Sequence, residues 1–235
     1  MKKSSVYRMI FYVVGLLILA LGIILNTKFG LGVSPIISVS YSISTILDMN
    51  FGNMTFVLYT VFVIIELILH IVRNRKENRK EGKNLESAVK KSLPLVLGMD
   101  ILQLPLSLVF TRFMNLFSAW IPAPTGLVWQ FLVLAGGIIC TGIGAAMSLN
   151  MRIIPNPGDG IVQAISDCIY KPVGFTKNCF DLLNICITIS VGLIFAHKLI
   201  GVGIGTVVVV LGVGRVIALF NYLFMKKMIA IAEIM

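Results

Sequence analysis

The sequence predicts an all-α polytopic membrane protein, with six transmembrane helices and two re-entrant half-helices arranged as two inverted repeats. Three observations carry this. Of the 235 residues, 57% are hydrophobic and 13% charged, and the apolar positions gather into runs longer than a soluble core needs. Lys and Arg cluster between those runs. Two short apolar elements, each opened by a Gly/Pro break, stand at matching places in the two halves. One is Gly30-Leu31-Gly32-Val33-Ser34-Pro35 leading into 36–44, and the other is Ile154-Pro155-Asn156-Pro157-Gly158-Asp159-Gly160 leading into 161–166. Broken helices in corresponding positions are the sequence pointer to a transport site.

The net charge of +10 suggests nucleic acid only if a soluble basic face exists to carry it. Here the basic residues set membrane orientation instead, and no nucleic-acid partner is expected. Cys140, Cys168, Cys179 and Cys186 lack paired C-x-x-C spacing and lie in or beside apolar runs, so they read as buried thiols. No metal site and no cofactor is read from the sequence.

In chain order, the basic segment 1–8 precedes an apolar run over 9–25 that ends without a small-residue cleavage pattern, which makes it a first span. The first break follows, then a short helix over 34–47, a polar corner at 48–53 and a full span over 54–72. Residues 73–91 form the one long hydrophilic loop. A third span covers 93–117, and a Pro-containing corner at 121–126 leads to a fourth over 127–149. After the second broken element come a fifth span over 178–196 and a sixth over 202–225.

Charge decides between crossing and re-entry for the short helices. If each returns to the side it came from, Lys2, Lys3, Arg8, the 73–91 loop, Arg152, Lys171, Lys177, Lys226 and Lys227 all fall on one side, and Lys28, Arg112 and Lys198 on the other. The positive-inside rule makes the first side cytoplasmic, with both termini there.

The halves also match in detail. Residues 19–28 parallel 141–152, each ending in an Asn-x-cation triplet (Asn26-Thr27-Lys28 and Asn150-Met151-Arg152), and each is followed by a break, a half-helix, a corner and a long span. Three spans per repeat is odd, so the second copy is expected to be inverted. The repeats are placed at 1–120 and 121–235 within a single membrane domain.

This element order, together with Gly30-Leu31-Gly32-Val33-Ser34-Pro35 and Asn156-Pro157-Gly158-Asp159-Gly160, resembles the bacterial YczE/YyaS/YitT family of integral membrane proteins over nearly the whole chain. The resemblance implies a multi-pass protein of the bacterial cytoplasmic membrane. It is closer to the YczE type, since the soluble C-terminal domain usual in YitT-type members is not seen here.

The breaks themselves carry chemistry. Pro35 and Pro157 suit a first helical turn, where no N–H is needed, and Ser34 and Asn156 are natural N-caps. If both helix starts meet near the midplane, their free N–H groups and positive dipole ends favour an anion or carboxylate-bearing solute. The alternative is a pair of structural plugs. Candidate solute contacts are Gly32, Ser34, Pro35, Ser38, Asn156, Pro157, Gly158, Asp159, Gly160, Gln163 and Arg215. Asp159 has a local turn-capping role as its alternative. Ser38, Ser42 and Gln163 are spaced to share one polar stripe, which either touches solute or bonds to neighbouring helices.

Ionisable residues inside spans are costly and require a reason. Asp100 and Arg215 occupy corresponding third spans of the repeats and are expected to face each other. Glu66 and His70, one turn apart, share a face suited to relaying protons, although His70 lies close to the cytoplasmic end, where snorkelling is the commoner explanation; Asp181 and Asn184 form a similar face on the fifth span. Asp100, Glu66 and Asp181 are the candidate coupling carboxylates. No G-x-S-x-G elbow, H-E-x-x-H pair or P-loop occurs, so no enzyme is expected. The leading expectation is a small-solute transporter or channel-like permease whose partners are lipid and solute, with homo-oligomer formation left open. The alternative is a membrane helper that binds a partner protein through its basic 73–91 loop.

Overall fold

The computed structural model describes residues 3–30, 32–81 and 93–233. The described chain is helical, and no strand occurs among its described residues. The elements are α1 (Lys3–Lys28), α2 (Pro35–Ile46), α3 (Phe51–Glu81), α4 (Leu93–Trp120), α5 (Leu127–Asn150), α6 (Pro157–Ile169), α7 (Val173–Ala196) and α8 (Ile204–Phe220). A π-helical turn (Asn221–Met225) then leads into α9 (Lys226–Ala232). Among the described residues, six helices are long and apolar enough to cross a membrane: α1, α3, α4, α5, α7, and α8 continued through α9. The helices α2 and α6 have 12 and 13 residues. At 1.5 Å per residue each is roughly 20 Å long, short of a hydrocarbon layer of about 30 Å.

Two boundaries differ from those expected. The helix α3 begins at Phe51 and runs on to Glu81, so the polar corner is shorter and the basic loop is helical over 73–81, nearly its first half. Lys, Arg and Glu are good helix formers, and a helix already nucleated in the apolar run extends through them readily. Residues 82–91 of that loop, with Lys2 and Leu31, lie outside the described residues. The helix α7 starts at Val173, with Pro172 in the capping position, which draws Lys177 into its first turns.

The centre of the molecule is the α1–α5 pair. These helices cross at small residues. A methyl group placed at Gly144 would strike the backbone nitrogen of Leu19, and one at Gly15 would stand 2.8 Å from the Ser148 nitrogen. Close backbone approach of this kind is how helices gain packing contact where lipid offers no hydrophobic drive. Around the pair, α4 packs on α1 and α8 on α5, while α2 packs on α7 and α3 on both α4 and α6. The buried apolar cluster joins α1, α2, α3, α4 and α6 through Tyr12, Ile24, Ile37, Tyr59, Met114 and Ile161.

The polar contacts fix which ends lie together. Arg8 near the start of α1 donates to the carbonyls of Met151 (2.8 Å) and Arg152 (2.9 Å) at the end of α5, and Tyr12, one turn further along, donates to Ile154 (2.7 Å). Residues 151–156 therefore descend along α1. At the start of α3, Arg112 donates to Asn53 (2.8 Å) and the Asn115 side chain accepts from the Gly52 nitrogen (3.1 Å). Replacing Gly144 with Val should destabilise the detergent-solubilised protein by about 1–3 kcal/mol through overpacking. Gly136→Ala, whose added methyl would meet only Leu25 at 3.9 Å, should leave thermal unfolding unchanged.

Candidate functional site

Consecutive antiparallel helices put residues near the end of one beside residues near the start of the next. In α3 and α4 this brings two polar pairs into register. Gln103 Nε2 donates to Glu66 Oε1 at 3.0 Å, and His70 Nδ1 lies 2.7 Å from Asp100 Oδ2. Glu66 and His70 are one turn apart on α3, as Asp100 and Gln103 are on α4, so the four side chains form a single patch. Asp100 and Gln103 stand about 10 and about 15 Å along α4 from Leu93. Glu66 is 2% exposed and Gln103 is fully buried.

The third wall is the first turn of α6. This helix runs parallel to α3, with Gly160 beside Glu66 and Asp167 beside Arg73. A methyl group at Gly160 would stand 2.8 Å from both Glu66 carboxylate oxygens and 3.1 Å from Gln103 Oε1. Only glycine lets the α6 backbone come this close to a carboxylate. Donor atoms of Glu66, His70 and Asp100 all lie within 4.8 Å of one another. Glu66 Oε2 and Gln103 Oε1 are buried without a hydrogen-bond partner. Two carboxylates this close, away from water, call for compensating positive charge from an imidazolium, a proton or a cation.

The residues expected to contact solute divide into two groups. Asn156, Pro157, Gly158 and Gly160 are buried in the second break, with Asp159 half-buried among them. Asn156 is the expected N-cap, its side chain accepting from the Gly158 nitrogen at 3.1 Å. The first break is arranged differently. Gly32 (φ 118°) packs against Thr206 and Gly203, and the Val33 nitrogen donates to Gly201 at 3.0 Å, so the α7–α8 connection covers it. Ser34 precedes Pro35 at the N-cap position, but its side chain makes no capping bond. Ser38 lies 2.6 Å from Thr188 of α7 and donates to the Pro35 carbonyl, which is the helix-bonding alternative for that stripe. Ser42 is buried without a partner for its hydroxyl. The two breaks touch where Gly158 abuts the Ile36 side chain.

Other residues are not brought to the patch. Asp100 pairs with His70 and not with Arg215, which is exposed on α8, because α4 packs on α1 and α3 while α8 packs on α5. Gln163 is exposed on α6 and shares no buried stripe with Ser38. Asp181, Asn184 and Thr188 form a buried polar face on α7, with Asp181 Oδ1 unpartnered.

Gln103 is the member of the patch that the sequence reading does not single out. The signal is nonetheless there, since it lies three residues from Asp100 on the span that directly follows Glu66 and His70. A second contact found only in the structure is the ion pair of Arg73 with Asp167, 2.6 Å apart at the other end of α6. Both partners are over a third exposed, so the pair contributes at most about 1 kcal/mol and serves to hold α6 in register with α3.

Gln103→Leu should destabilise the protein by about 1–3 kcal/mol, because it leaves the Glu66 oxygen buried and unpaired. Gln163→Leu should shift the melting curve by less than about 0.5 kcal/mol. The caps should separate in the same assay. Asn156→Ala should cost about 0.5–2 kcal/mol and Ser34→Ala close to nothing.

A family model described as "Family of unknown function (DUF6198)" matches residues 6–82 and 88–222. No curated protein and no solved structure matches the chain.

Proposed function

The chain belongs to that family of unknown function, and we propose that it is a small-solute permease whose working centre is the buried patch of Glu66, His70, Asp100 and Gln103. The observation that carries the reading is the position of this patch. It lies within membrane-spanning helices, at the start of a helix too short to span, with two acceptor oxygens left unpaired. Ionisable groups at membrane depth are retained for ion or solute pathways far more readily than for packing.

The course of the chain supports re-entry for α6. Residues 151–156 leave the end of α5 beside Arg8, and α6 then runs parallel to α3 towards Arg73. The helix contacts support two repeats. Exchanging α1–α4 for α5–α8 turns the α2–α7 pair into α6–α3 and the α1–α4 pair into α5–α8, and it maps α1–α5 onto itself. The pairing of α3 with α4 departs from this scheme, since α7 and α8 make no comparable contact. We carry the YczE/YyaS/YitT likeness, the bacterial cytoplasmic membrane and the cytoplasmic termini as parts of the same proposal.

The chemistry of the patch also alters the expected solute charge. The first turn of α6 already faces a carboxylate of the protein itself, and Arg215 is elsewhere. A cation, moved alone or coupled to another solute, fits an acidic centre better than an anion does.

Flux into proteoliposomes tests the reading, using a pH-sensitive dye and isotope uptake against pools of monovalent cations, divalent cations, amines, amino acids and carboxylates. At least one pool should give flux above empty vesicles. Glu66→Gln should lower it tenfold or more, while exposed His197→Gln should leave it unchanged. No flux from any pool, or flux indifferent to Glu66→Gln, overturns the proposal in favour of the partner-binding reading.

A further inference from the structure

We propose that Glu66, His70 and Asp100, with Gln103 Oε1 completing the set, bind one divalent first-row transition cation. The inference deepens the permease reading by naming the cation, and it rests on that reading only for the ion's movement, not for its binding.

Three features of the patch converge on a metal. The first is reach. An ion about 2.1 Å from each donor holds neighbouring ligand atoms roughly 3–4 Å apart, and the donors of Glu66, His70 and Asp100 already lie within 4.8 Å of one another. Small side-chain rotations close the difference. The second is aim. Both Glu66 oxygens and Gln103 Oε1 lie within 3.1 Å of a single point, the place where a side chain at residue 160 would begin. The lack of a side chain at Gly160 is what lets these three oxygens crowd together against the α6 backbone. Glu66 Oε2 and Gln103 Oε1 are buried and unpartnered, although such groups are almost always satisfied in folded proteins. The third is charge. Glu66 and Asp100 bring two buried carboxylates to one place, with the His70 imidazole against Asp100.

The donor types select the class of ion. Calcium and magnesium favour all-oxygen shells, whereas an imidazole nitrogen beside carboxylate and amide oxygens suits manganese, iron, cobalt or zinc. The lack of cysteine among the donors argues against a closed structural zinc site, and partial access at His70, which is half-buried, leaves a way in. The α6 N-terminus opposes a cation here. Its share is about half a unit charge, and two carboxylates outweigh it.

The test uses tag-free, full-length protein in detergent, stripped with a chelator, reloaded with Mn2+, Co2+ or Zn2+, and desalted. Metal content should approach one ion per chain. Glu66→Gln and Asp100→Asn should each weaken binding tenfold or more, with Asp48→Asn, at an exposed corner, unchanged. Because removing one partner can unfold the protein, spin-echo measurements on the unmutated chain loaded with Cu2+ give an independent reading. They should show coupling to one imidazole nitrogen, which His197→Gln, at the second of the two histidines, should preserve. Substoichiometric binding, or binding indifferent to both carboxylate variants, overturns the inference. A bound ion without flux sustains the inference and removes the permease reading. Flux of another solute with no metal bound does the reverse.

Discussion

Backbone that is neither helix nor strand must be enclosed by protein when it lies at membrane depth, since lipid offers its N–H and C=O groups nothing. In this chain the irregular backbone flanking the two short helices, at 29–30, 32–34 and 151–156, is covered by protein. The first stretch is covered by the α7–α8 connection, through the bond from Val33 to Gly201 and the contact of Gly32 with Thr206. The second is held by Arg8 and Tyr12, which donate to the carbonyls of residues 151, 152 and 154. The short helices then begin side by side, with Gly158 against the Ile36 side chain.

The same enclosure produces the acidic patch. To bring α6 back along α3, the chain needs a point of close approach, and Gly160 supplies it directly opposite Glu66. A larger residue there would push the helices apart and relax the crowding of Glu66, Asp100 and Gln103. Packing and electrostatics are thus linked at one position. Arg73 and Asp167, two turns further along α6, keep the two helices aligned. The counterpart face on α7 follows a milder version of the theme, with Asp181, Asn184 and Thr188 buried together and Thr188 tied to Ser38 of α2.

Much of the fold was legible in the sequence. Six apolar runs, two Pro-initiated short helices and the Asn156 cap all follow from local chemistry, and local chemistry is what a sequence states directly. The site was legible in halves. Spacing places Glu66 with His70 on one face, but it does not say which helix that face meets, and analogy of position between repeats points Asp100 to Arg215 instead of to His70. Adjacency along the chain was the better guide, because α3 and α4 follow one another and pack directly. Gln163 and Ser34 show the same limit: Ser34 stands at the expected N-cap position without a side-chain bond and Gln163 is exposed, because burial and side-chain bonding depend on neighbours from distant parts of the chain.

The π-helical turn at Asn221–Met225 has its own consequence. It takes up one more residue than an α-helical turn would, and so rotates everything after it by about 100° relative to what precedes it. Before the turn the helix presents Gly205, Thr206 and Val209 to the protein and packs on α5, whereas after it Met228 and Ala232 are buried and the packing is on α1. Asn150 donates to Asn221 at 2.8 Å and marks where the change of phase begins. The final helix is therefore governed by residue count at this turn more than by residue identity. A single deletion there would swing Lys226 and Lys227 around the axis and carry Met228 off α1, with every side chain downstream still chemically intact.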